Sequence, residues 1–162
     1  MITVLIIGEG SLENEKDIGL ASRAFGASSV IFTSRSKPKL VRYFRAISSK
    51  WGGKFDVRYE KDWERVISEK RGYEKIYLTK SGAPIAKMMY RVRTYKNILL
   101  IATLSENLKK LDERVDYKVS VTTQPHSSVS AIAVFLHVFY SGRELAIRFN
   151  NARYKVIQEK AD

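Results

Sequence analysis

Short apolar runs punctuate the chain at regular intervals, and the spacing between them changes period. Ile2-Thr3-Val4-Leu5-Ile6-Ile7 is apolar but for Thr3, and Gly8 stops it. So short and uniform a run predicts a strand buried on both faces. Similar runs lie at 29–33, 55–59, 75–79 and 97–102, while Tyr117, Val119 and Val121 alternate with Lys118 and Ser120. Between them the period becomes helical. Pro38 opens a helix with Leu40, Phe44, Ile47 and Trp51 on one stripe, ended by Gly52-Gly53. Further helices are predicted over Asp17–Phe25, after Asp62, after Pro84, along Leu104, Leu108 and Leu111, and from Ser127 or Ser128 to Tyr140. A last short strand is expected over Arg153–Ile157. Buried strands alternating with helices predict an α/β fold, with a largely parallel sheet covered on both faces. No linker or repeat interrupts residues 1–162, so one domain is expected.

Composition narrows the chemistry. The 162 residues are 44% hydrophobic, enough for a sizeable core, and 29 Lys+Arg against 17 Asp+Glu leave a net charge of +12. That excess favours a polyanionic partner, nucleic acid above all. With no cysteine, disulfides, a Cys nucleophile and Cys-ligated metals are excluded. His126 and His137 have no ligand-spaced carboxylate between them, so no metal site is expected. The first apolar run is too short for a signal peptide, and none approaches the roughly 20 residues of a membrane span. A cytoplasmic protein without membrane contact is expected.

Gly8-Glu9-Gly10 follows a strand, but Glu13 stands where a dinucleotide fingerprint needs its third glycine, so this is a turn. No phosphate-cradling loop or nucleophile elbow is present. Two basic clusters stand out. Lys39, Arg42 and Arg45 recur every three residues, off the apolar stripe of their helix; Arg91, Arg93 and Lys96 are interleaved with Tyr90 and Tyr95. Each reads either as a solvated surface or as a phosphate- and base-binding face for RNA. Thr122-Thr123-Gln124-Pro125-His126-Ser127-Ser128 lies between a strand and the long apolar helix. Ligands of open α/β sheets bind at such strand ends, though a simple connection has the same appearance.

Gln124-Pro125-His126-Ser127, with the helix after it, resembles the third motif of the archaeal tRNA (cytidine-56-2′-O)-methyltransferases of the SPOUT superfamily. Other matches keep the family order: Arg23 before Ala24-Phe25-Gly26-Ala27, Trp51-Gly52-Gly53 then Phe55, Trp63 with Arg65-Val66, Leu78-Thr79 with Gly82, Asp116-Tyr117, and Phe149, Ala152 and Lys155. The resemblance implies a Rossmann-like sheet with a C-terminal deep trefoil knot, a homodimer, and tRNA as partner. It implies S-adenosylmethionine held by three loops, here Leu78; Thr103, Leu104, Ser105, Glu106 and Asn107; and Val121, Thr122, Thr123, Gln124, Pro125, His126, Ser127 and Ser128. It makes Arg23 the catalytic cation beside the ribose 2′-oxygen, with Leu78, Ile101, Val121 and Ile132 walling the adenine, and asks for no metal. The second loop lacks the family's glycine and proline, Thr123 stands where asparagine is usual, and residues 8–16 carry three glutamates in place of a basic stretch. A SPOUT-fold RNA-binding paralogue without catalysis is therefore the alternative reading.

Overall fold

The computed structural model describes residues 1–104, 108–157 and 159. The elements are β1 (Ile2–Ile7), α1 (Leu12–Ala24), β2 (Ser29–Phe32), α2 (Pro38–Trp51), β3 (Asp56–Tyr59), α3 (Trp63–Glu69), β4 (Glu74–Pro84), α4 (Ile85–Val92), β5 (Ile98–Thr103), α5 (Lys109–Asp112), β6 (Tyr117–Ser120) and α6 (Ser128–Tyr140), then a 3₁₀ turn, Arg143–Ala146. The six strands form one sheet in the order β3-β2-β1-β5-β4-β6, and every pairing is parallel.

Alternation along each strand splits the core. Ile2, Val4, Ile6, Leu100 and Ala102 face the side covered by α1, α2, α4 and α6. Leu5, Ile7, Leu99 and Ile101 face α3 and α5. The near-continuous apolar runs are thus the two-sided burial of a parallel sheet.

Four boundaries differ from the sequence expectation, and the first of them is the end of β4, at Pro84 rather than Thr79. Helix α1 begins at Leu12, five residues before Asp17. Ser11 caps it by accepting from the Asn14 N–H at 3.1 Å, and Glu13 and Glu15 complement the helix dipole. That first turn is polar and carries no apolar stripe to betray it. Among the described residues of the stretch from Leu104 to Leu111, helix is confined to α5, the single turn Lys109–Asp112. The strand expected over Arg153–Ile157 is absent. Instead, the N–H groups of Arg153 and Tyr154 both donate to the Lys50 carbonyl, at 2.9 and 3.0 Å, which caps α2. This strap explains Gly52 and Gly53. Both have φ near +70°, and a Cβ would lie 2.5 Å from the Asn150 carbonyl at the first and 2.4 Å from the Phe149 ring at the second.

Glu15 is a buried hub joining α1 to the ends of β2 and β3. Its carboxylate accepts from Ser34 Oγ at 2.5 Å, Lys37 Nζ at 2.7 Å and Tyr59 OH at 2.8 Å. Burial, then the Glu15 bond, drives the Tyr59 phenol far above its ordinary range. A folded-state value raised this way leaves stability intact below the unfolded tyrosine value of about 10 and erodes it as pH climbs past that point. Urea midpoints measured from pH 8 to 11.5 are expected to fall above about pH 10, and less steeply in Tyr59→Phe. Identical alkaline limbs would exclude the linkage.

Candidate functional site

Three loops meet at the carboxyl ends of β4, β5 and β6. In β4, Leu78 and Ala83 both face Val119 of β6, so Thr79–Gly82 leaves the ladder between them. Gly82 lies flat on β6: a Cβ there would stand 2.5 Å from the Val119 nitrogen and 2.7 Å from the Lys118 carbonyl carbon. Sequence reasoning took Leu78 from this segment but missed the excursion; the Ser81-Gly82 pair is the turn signal that marks it.

After β5, Leu104 donates its N–H to the Ile7 carbonyl at 2.8 Å and rests against Gly10, where a Cβ would come within 2.9 Å of its Cδ1. Ser105, Glu106 and Asn107 lie outside the described residues. The third loop is held by its own polar groups. Thr122 Oγ1 accepts from the Gln124 N–H at 3.2 Å, and the His126 ring Nδ1 lies 2.7 Å from the Gln124 carbonyl. Ser127 is the helix cap, accepting from the Ser130 N–H at 3.1 Å. Ser128 Oγ reaches back to donate to the Thr103 carbonyl at 3.2 Å, which ties the second loop to the third.

Thr122 to Ser127, with Pro125 among them, are all exposed, so the loops form an open cradle. Its donor set is hydroxyls, one carboxamide, one imidazole and the first backbone N–H groups of α6, with no fixed charge among residues 121–128. Leu78, Val121 and Ile132 belong to the same side of the sheet. Ile101 does not. It is fully buried on the α3/α5 side, and Ile132 is as fully buried in the core on the other, so a wall of all four residues is corrected to Leu78 and Val121. Strand β5 turns Leu100 and Ala102 toward the cradle side instead.

Arg23 lies elsewhere. It sits in the last turn of α1, whose 13 residues carry the chain back about 20 Å from the carboxyl edge of the sheet. There it is buried, donates to the Gly52 carbonyl at 2.5 Å and covers the Phe149 ring at 4.5 Å. Burial lowers its affinity for the proton.

The basic clusters also separate. Lys39, Arg42 and Arg45 are exposed on α2 and have no ion pair or side-chain hydrogen bond among the described residues. Lys96 is exposed as well, and the Arg91 guanidinium lies 5.9 Å from the Tyr117 ring. Arg93 is already engaged, donating to the Phe139 carbonyl at 3.0 Å and to that of Val138, where it caps the end of α6. Among the described residues no group of three or more His, Cys, Asp or Glu comes together, and no helix is long and apolar enough to cross a membrane.

A parallel sheet with helices on both sides and ligand-type loops at one carboxyl edge defines a doubly wound α/β protein, and solved SpoU methyltransferases share its fold. The SpoU methyltransferase AviRb from Streptomyces viridochromogenes, solved in complex with AdoMet, superposes with a TM-score of 0.66 at 16% identity over 87% of this chain; the chain spans 57% of that protein. An A. aeolicus TrmH/SpoU tRNA modifying enzyme superposes at 0.63 and 14% identity, over 90% of this chain and 76% of the other. The model of the tRNA ribose 2′-O-methyltransferase family, aTrm56, matches residues 51–162, and the chain belongs to that family. A tRNA (cytidine(56)-2′-O)-methyltransferase from Methanothermobacter thermautotrophicus is 38% identical over 143 residues, covering 86% of this chain and 80% of the relative. One of the same name from Methanocaldococcus jannaschii is 36% identical over 148 residues, 88% and 82% respectively.

Proposed function

We propose that this chain is an S-adenosylmethionine-dependent methyltransferase that modifies the ribose 2′-oxygen of cytidine 56 in tRNA. Its relatives carry that name, and the observation that carries the reading to these residues is the joined cradle, in which Ser128 reaches the Thr103 carbonyl at 3.2 Å. The bound cofactor supplies a methyl group on a cationic sulfur, open to in-line displacement by the ribose oxygen. The chain's own residues fit it. Hydroxyls and backbone N–H groups of residues 121–128 suit the edge of an adenosyl group, the uncharged loop does not oppose a sulfonium, and Leu78 and Val121 offer an apolar flank. Thr103 and Leu104 complete the described part of the cradle, and the family resemblance adds Ser105, Glu106 and Asn107 as cofactor-binding residues.

The same reading makes the protein a cytoplasmic homodimer, with residues 1–162 as one domain and the trefoil knot in its carboxyl-terminal part. The exposed face of α6 carries Val134, 42% exposed, between Ser130 and His137, and Leu145 and Ile147 after it are open as well. Large apolar side chains open to solvent and close together suit an interface, and a second copy is the cover. A dimer also gives Arg23 its role. At the far edge of the sheet it cannot serve the cradle of its own protomer, so it acts as the cation near the developing oxyanion across the interface.

Titration calorimetry with S-adenosylmethionine and methyl transfer to tRNA test the assignment together. Binding is expected, with transfer to unmodified tRNA and none to tRNA carrying 2′-deoxycytidine at position 56. Undetectable binding at millimolar cofactor, with tRNA affinity retained, would establish the non-catalytic RNA-binding alternative. Methylation of the deoxy substrate would refute the nucleophile.

A further inference from the structure

The strap over the end of α2 borders a groove of about 710 Å³ at the amino-terminal edge of the sheet, opposite the cradle. Ser48, Gly53, Lys54, Arg148, Asn150 and Arg153 line it, and no carboxylate does. Lys54, Arg148 and Arg153 are exposed and have no ion pair or side-chain hydrogen bond among the described residues. One polar atom of its lining, Ser48 Oγ, is buried without a hydrogen-bond partner among the described residues. Burial of an unsatisfied donor is costly, and a ligand oxygen is one means of relieving it.

The simplest competing account is that these cations serve the negative end of the α2 dipole. That end amounts to about half a charge, and the Lys50 carbonyl is already satisfied by two N–H groups of the strap. Three unpaired cations exceed the requirement. They also continue a line. Lys39, Arg42, Arg45 and Ser49 form an exposed row along α2, which is about 20 Å long and ends at the groove. Beside it, Trp51 and Tyr154 stand edge to face at 5.8 Å, both partly exposed, as a surface on which an unpaired base can stack.

We propose that this groove and the α2 row bind consecutive phosphodiester groups of the tRNA substrate, with Lys54, Arg148 and Arg153 as the anchoring contacts. The inference rests on the function proposed above. A single inorganic phosphate would leave most of the volume and the α2 row unused; a strand of RNA occupies both.

The test is the salt dependence of tRNA binding by the full chain, followed by fluorescence anisotropy. Each neutralised phosphate contributes about 0.7 to 0.9 to the slope of log affinity against log salt. The variant Lys54→Gln/Arg148→Gln/Arg153→Gln is expected to bind about ten- to a hundredfold more weakly at low salt, with a slope shallower by about 2 to 3. Its calorimetric cofactor affinity reports that it has folded. A charge-matched variant on the α3/α5 side, Lys61→Gln/Arg71→Gln/Arg114→Gln, is expected to keep the wild-type slope. A wild-type slope in the groove variant, or equal flattening in the control, overturns the groove. Absence of tRNA binding by the wild-type protein is a different result and removes the proposed function together with the groove.

Discussion

Gly82→Val is expected to lower the kcat/KM of methyl transfer by about 100-fold and to weaken cofactor binding measured by calorimetry. Gly82 has an ordinary φ, so the expectation rests on space alone. A Cβ would stand 2.5 to 2.7 Å from three backbone atoms of Val119 and Lys118, against about 3.5 to 4.0 Å for normal contact. Backbone in a paired strand cannot rotate away as a side chain can, so β4 must lift from β6 by about 1 Å. Lifting it displaces Leu78 and the excursion that follows, which are the first wall of the cradle. Ser81→Ala, in the same excursion but exposed, is expected to leave both measurements near the wild-type values. If Gly82→Val transfers methyl groups at the wild-type rate, the first loop has no part in the site.

The second large effect is on stability. Glu15→Ala is expected to destabilise the fold by about 3 kcal/mol, the low end for breaking a buried ion pair, because Lys37 keeps some contact with solvent. The substitution strands the Lys37 ammonium and removes the acceptor of Ser34 and Tyr59 at once. In a chain of this size that is a fall of about 6 to 12 °C in Tm. Glu15→Gln keeps an acceptor for the two hydroxyls and loses only the charge, so its Tm belongs between those of the wild type and Glu15→Ala. Equal losses in the two variants would show that the lysine, rather than the hydroxyls, sets the cost.

Both effects depend on residues of which periodicity says little. The strands and the Pro38 helix are readable because burial imposes a period on apolar side chains, and every strand but β4, which runs on from Thr79 to Pro84, follows that period closely. The motif around Gln124 stood at a strand end, and its placement follows from the same alternation. In the sequence Glu15 is one of three glutamates over residues 8–16, and nothing in a polar stretch announces that one member faces inward. Gly82 was noted as part of a match, but its reason is the proximity of a strand 37 residues later in the chain. The line from Arg153 to Ile157 looked like a strand because its composition suits one; its backbone is used instead on the end of α2, a partner no local pattern reveals. Arg93 shows the same limit, since a cation among tyrosines reads as RNA-binding until the end of α6 is seen beside it.

The sheet has two borders, β3 and β6, each only four residues long. Asp56 and Arg58 project into solvent from one and Lys118 from the other. Brief margins studded with charge resist growth by addition of a further strand. Such margins disfavour fusing the sheets of two copies into a continuous ribbon, and they leave the helical surfaces as the natural ground for self-association.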